Sequence, residues 1–100
     1  MPSTYTQPFR VRFDECGPDG AARSATILRY AAETAFAHSA AAGFPLSWYL
    51  AHGLFWLVRD ARMDLAVPVR HATTLEVTTQ VVGVRRVWAR RVNAVRDSTG

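Results

Sequence analysis

The side chains able to do chemistry gather in one stretch, Arg10 to Gly43, which reads RVRFDECGPDGAARSATILRYAAETAFAHSAAAG. Carboxylates stand at Asp14, Glu15, Asp19 and Glu33, with a thiol at Cys16 and a hydroxyl at Ser24. A positioned carboxylate can take or deliver a proton. Each residue also has a plainer reading. Asp19, between Pro18 and Gly20, suits an ordinary turn aspartate, and Glu33 lies four residues beyond Arg29, the spacing of a helical ion pair. Asp14 and Glu15 read as solvated charges closing a strand beside Arg12. No thiolate-stabilising neighbour is recognisable for Cys16, which reads as inert. His38, His52 and His71 lack the spacing of a metal site and read as surface or loop residues, so no metal is expected.

These groups need a frame. Phe9, Val11 and Phe13 alternate with Arg10, Arg12 and Asp14, the period of a half-buried strand. Cys16–Gly20 cannot continue a ladder, because Pro18 has no amide donor and glycine takes positive φ readily. From Ser24, a fair N-cap, Leu28, Ala31, Ala35 and Ala42 recur near helical spacing, interrupted by His38 and Ser39. Gly43 and Pro45 form a stop. The result is a helix of ~20 residues and about five turns, whose alanines let it lie close against a sheet. Ser47–Gly53 reads as a short helical turn, capped by Ser47 and ended by Gly53. Leu54 to Ala66 alternates as a long strand, with Arg59 breaking the pattern, and Pro68 interrupts the ladder beyond it. Thr74–Val82 reads as a strand and Val84–Arg96 as another after a kink at Gly83, before turn chemistry at Asp97–Gly100. Strand, helix and at least three further strands in a meander make one α+β domain over residues 1–100.

With 49% hydrophobic residues in a 100-residue chain, a real core is expected. A domain of this size buries only roughly 60–65% of its unfolded surface, so its stability is modest or shared with a partner. All twelve basic residues are arginine, against eight acids, giving a net charge of +4. Arginine suits bidentate contact with phosphate or carboxylate, although a general compositional bias toward arginine explains the count equally well. A single cysteine fits a reducing compartment, and the amino terminus has neither the charged nor the apolar region of a signal peptide. No apolar run approaches the ~20 residues that a spanning helix needs. A cytoplasmic chain without a membrane segment is the expectation.

The chain resembles the hotdog-fold acyl-CoA and acyl-ACP thioesterases. The similarity lies in Val11-Arg12-Phe13, Pro18-Asp19-Gly20 and Leu28-Arg29-Tyr30 with Glu33. It continues in Gly53-Leu54 through Val58-Arg59, Pro68-Val69-Arg70, Leu75-Glu76-Val77, and Gly83 followed by Arg85-Arg86. The resemblance implies an antiparallel sheet wrapped around one long central helix. It also implies an acyl-thioester hydrolase without cofactor, in which a carboxylate attacks or activates water while amides at a helix N-terminus polarise the carbonyl. Asp19 and Glu33 are the candidate acids, and Ser24 with the amides near it would meet the carbonyl. Thr26, Tyr30, Trp56, Arg85 and Arg86 are candidate substrate contacts; Trp48, Tyr49, Phe55 and Trp56 read as the lining of an acyl tunnel or, more commonly for such residues, as core aromatics.

The run RRVWARR prompts a nucleic-acid reading, but strand alternation divides its charge between two faces. Contact with the phosphates of coenzyme A or with an acidic carrier protein fits better, and a solvated edge better still. No nucleic-acid partner is expected. The family's usual acid falls on Gly17, and the His and Asn that often succeed the turn fall on Ala21, Arg23 and Ser24. Ala72-Thr73 replaces its Gly-Asp turn, and its last strand has no counterpart after Gly100. The sheet is therefore expected to lack that strand, in a truncated piece or in a variant completed by another chain. A homodimer or higher oligomer is implied. Alternatives are a non-catalytic hotdog module that binds thioesters or dimerises, and a hotdog dehydratase.

Overall fold

The computed structural model describes residues 4–54, 61–63, 69–85 and 88–97. Three strands, β1 (Thr4–Arg10), β2 (Thr74–Arg85) and β3 (Trp88–Asp97), form an antiparallel sheet in the order β1-β2-β3. Across it lies α1 (Ser24–Ala41), and a shorter helix, α2 (Leu46–His52), comes next in the chain. Most of the strand expected over Leu54–Ala66 lies outside the described residues, as do Trp56 and Arg86.

The first strand lies earlier than the alternation of Phe9, Val11 and Phe13 suggests. It ends at Arg10, and Phe13–Glu15 forms one turn of 3-10 helix. Tyr5, Gln7 and Phe9 point inward, whereas Phe13 is 80% exposed. Pro8 is tolerated because β1 has one neighbour among the described strands, and a missing amide costs little on such an edge. At Gly83 the chain does not break. A bulge between Val81 and Gly83 shifts the register, β2 runs on to Arg85, and the hairpin reverses after it.

Helix α1 has the expected length, but its buried stripe is Ile27, Tyr30, Thr34 and His38 rather than the alanine series, and Leu28 is exposed. Those positions recur every three or four residues, as one face of a helix must. Arg23, not Ser24, is the N-cap, and Gly43 lies just past the helix with φ 100°. Gly53 caps α2 in the left-handed region as expected, while Pro45 rather than Ser47 precedes its first turn. The core lies between the first half of α1 and the sheet. Val11, Cys16, Ile27, Tyr30, Leu75 and Val77 form it, flanked by Phe9, Ala22, Met63, Val69 and Val95.

Candidate functional site

The turn between β1 and α1 is tied down at both ends. The Gly17 amide donates to the Ala21 carbonyl and the Gly20 amide to that of Gly17, which closes the loop on itself. Across from it the Ala22 amide donates to Val69, His71 to Gly20, and the Arg70 guanidinium to the Asp19 carbonyl at 2.8 Å. The turn is thus stapled to the segment that feeds β2. Asp19 is exposed, and its Oδ1 accepts from the Ala21 amide at 3.1 Å, a local bond that favours the turn conformation.

Glu15 joins this turn to α1. Read by residue type, it is a solvated charge, yet it is only 5% exposed. Its Oε1 accepts from the Arg12 amide at 2.9 Å and from the Tyr30 hydroxyl at 2.6 Å, and its Oε2 pairs with Arg29. The Glu15 carbonyl accepts from the Arg23 amide and from the Thr26 hydroxyl. A buried carboxylate is tolerated only with such compensation. Nothing local in the sequence marks it, because its partners on α1, Arg29 and Tyr30, lie about 15 residues downstream across the turn and a charge reads as exposed by default. Asp14 does remain at the surface, bonded to the Arg12 guanidinium, which holds its carboxyl below the ordinary carboxylate range. Burial pushes the Tyr30 phenol above its ordinary value, and the nearby Arg29 charge opposes that shift. The Tyr30 ring stacks on Phe9 at 4.5 Å between centroids.

Two clefts flank this clamp. One, of about 350 Å³, is lined by Phe13, Cys16, Gly17, Pro18, Gly20, Arg23 and His71 and opens beside the start of α1. The Arg23 side chain does not cap that helix, and the Thr26 and Ile27 amides turn back to the Arg23 carbonyl. Of the first-turn amides, those of Ser24 and Ala25 have no acceptor within the helix, and the positive end of the helix dipole lies there, next to Arg23 in the cleft wall. The second cleft, of about 370 Å³, is lined by Phe9, Arg10, Arg12, Glu15, Arg29, Tyr30 and Glu33.

The candidate residues therefore fall into groups. Tyr30 and Glu33 meet in the second cleft. Asp19 in the turn and Ser24 at the helix start are both exposed and are not among the lining residues of the first cleft, although their neighbours Pro18, Gly20 and Arg23 are. Thr26 is buried between turn and helix, and Arg85 ends β2. Arg29 pairs with Glu15 rather than with Glu33. His38, expected at the surface, is buried at 1% exposure, where its Nδ1 meets the Arg91 guanidinium at 3.0 Å. His52 and His71 are exposed. Among the described residues no three His, Cys, Asp or Glu side chains group as a metal site, and no helix is long and apolar enough to cross a membrane.

An antiparallel sheet laid over one long helix, with a turn closing onto the start of that helix, defines the hotdog fold of thioesterases. The chain belongs to the acyl-ACP thioesterase N-terminal domain family, whose sequence model matches residues 2–100. Among solved structures it is similar to a protein assigned as an oleoyl thioesterase from Lactobacillus plantarum, at TM-score 0.90 and 23% identity, covering 98% of this chain and 38% of that one. It is also similar to a protein of unassigned function from Aquifex aeolicus, at TM-score 0.84 and 23% identity over 96% of this chain and 76% of the other. A 1,4-dihydroxy-2-naphthoyl-CoA thioesterase from Synechocystis superposes at TM-score 0.78 and 16% identity, over 95% and 70% of the two chains. This chain thus spans well under half the length of the Lactobacillus protein. No curated protein matches it.

Proposed function

We propose that this domain serves hydrolysis of an acyl thioester carried on acyl carrier protein or coenzyme A, with the carbonyl docked at the start of α1. The observation that carries this reading is the cleft beside an uncapped helix N-terminus, closed by the glycine turn. Amides there can donate to the oxygen that gains charge as the thioester carbon becomes tetrahedral. Asp19 is the favoured acid, activating water from the turn. Glu33 lies nine residues beyond Ser24, ~13 Å along the helix axis, too far to act on a carbonyl held by the first-turn amides of its own helix. In this reading the domain works in the cytoplasm within a homodimer or larger assembly, and exposed Leu46, Leu50 and Leu54 offer apolar surface for one.

Thiol release across acyl-CoA and acyl-ACP chain lengths tests the proposal. Folded protein that releases nothing above background defeats it. Asp19→Asn is expected to lower turnover by orders of magnitude with the melting temperature nearly unchanged, and Glu33→Gln to leave turnover close to wild type. A second reading, a module that binds thioesters without cleaving them, is favoured by Gly17 at the family's acid position and by the bond that already occupies Asp19 Oδ1. Binding without turnover would select it.

A further inference from the structure

The geometry points to Glu15 as the positioning residue of this site, a role that rests on the reading that the carbonyl docks at the start of α1. Backbone and side chain of this one residue grip the helix at two levels. Its carbonyl holds the Arg23 amide and the Thr26 hydroxyl at the first turn, and its carboxylate holds Tyr30 and Arg29 one turn further along. Its Oε1 also takes the Arg12 amide, which fixes where the chain leaves β1. A segment held at one level could pivot about the helix axis; held at two levels it cannot. Cys16 and Gly17, the next residues, line the first cleft, so a rotation at Glu15 would carry the cleft wall away from the helix amides. Glu15 has no part in the chemistry. It sets the distance between the turn and the donors, and a misplacement of about 1 Å at such a site can cost about 100-fold in rate.

The test compares the wild type with Glu15→Gln, with Tyr30→Phe, which removes one hydroxyl, and with Val95→Ala, which thins the same core from β3. Glu15→Gln is expected to lower kcat for acyl-CoA hydrolysis by about 100-fold and Tyr30→Phe by about 10-fold, with KM nearly constant in both. Val95→Ala changes neither value once activity is normalised to folded protein. Equal kcat in all the proteins overturns the inference, and so does a loss confined to KM. Where Glu15→Gln does not fold, Tyr30→Phe carries the comparison.

Amide hydrogen exchange reads the same geometry without turnover. Protection at Gly17, Gly20 and Arg23 is expected to fall about tenfold relative to Val77 in Glu15→Gln and in Tyr30→Phe, and to hold in Val95→Ala. If the wild type releases no thiol, the hydrolase reading falls and exchange alone decides. Unchanged protection at the turn overturns the inference; selective loss there sustains it.

Discussion

The two halves of the helix–sheet interface are built from different materials. Over the first half of α1, Phe9, Val11, Ile27, Tyr30, Leu75, Val77 and Val95 pack as a hydrocarbon core. Over the second half the facing residues are Tyr5, Thr34, His38, Thr79 and Arg91, with Thr34 and Thr79 wholly buried. The register explains the change. Phe9 stands opposite Leu75 and Gln7 opposite Val77, but Tyr5 stands opposite Thr79, so from Phe9 back to Tyr5 the ladder passes from apolar to polar ground. Hydrocarbon packing is insensitive to bond angle and strong per residue. A polar layer holds only while its hydrogen bonds hold, and desolvating its groups consumes much of what those bonds contribute. Burial accordingly lowers the Arg91 guanidinium from its ordinary value. The domain places its firm packing under the turn and the helix start, where the proposed site lies, and its adjustable packing at the far end.

Leu75→Ala should break this comparison most severely. The residue is 3% exposed at the centre of the apolar half, and its truncation is expected to lower stability by about 3 kcal/mol, read from denaturant midpoints. An equal loss from Thr79→Ala in the polar half would show that the halves do not differ.

The next effect is one of pH. Because burial raises the Tyr30 phenol, the neutral form is favoured in the folded state. Its contribution is complete below the ordinary tyrosine value, about pH 10, and is lost as pH rises through the raised one. Stability is expected to fall in that alkaline window for the wild type and to fall less for Tyr30→Phe, measured by denaturant midpoints across the range. Parallel curves would mean that the ordered bond to Glu15 does not depend on the phenol proton.

At the border between the halves, Gln7 carries a buried side-chain oxygen with no hydrogen-bond partner among the described residues. An unpaired buried carbonyl costs more than it returns. Gln7→Leu would extend the apolar half by one residue, and a gain of about 1 kcal/mol is expected by thermal or chemical unfolding. A loss instead would show that the oxygen is satisfied in solution.

The same contrast decides how much of the molecule is legible in its sequence. Glycine and proline signals at Gly43, Pro45 and Gly53 mark true ends, because they act through local backbone geometry. Strand alternation misplaces β1, since Gln7 and Pro8 do not look like a strand while Phe13, in a 3-10 turn, mimics one. The helix stripe is disguised by Thr34 and His38, polar residues on the buried face. Glu15 is the member of the site that residue type hides most completely, and its burial depends on Tyr30 and Arg29, partners that only the fold brings near. Position along the chain is readable wherever the signal is local. The polar groups buried by tertiary contacts are not.

The smallest effect tests whether the firm half carries any strain. Ala72 has φ 67°, in the left-handed region, at the turn that feeds β2. Its position is fixed from outside: its amide donates to the Val11 carbonyl at 3.0 Å, and the Val11 amide donates to Thr73. These bonds join the exit of β1 to the approach of β2 directly beneath the apolar core. They over-determine a conformation that costs a residue with a Cβ about 1–2 kcal/mol. Glycine would relieve that cost but would itself lose more chain entropy on folding, by about 0.5–1 kcal/mol. The difference leaves Ala72→Gly more stable by about 0.5 kcal/mol, a shift of a few degrees at most in melting temperature for a domain of this size. A destabilised Ala72→Gly would mean that the turn relaxes out of the left-handed region in solution, and that the ladder between Val11 and Thr73 is looser than the core beside it.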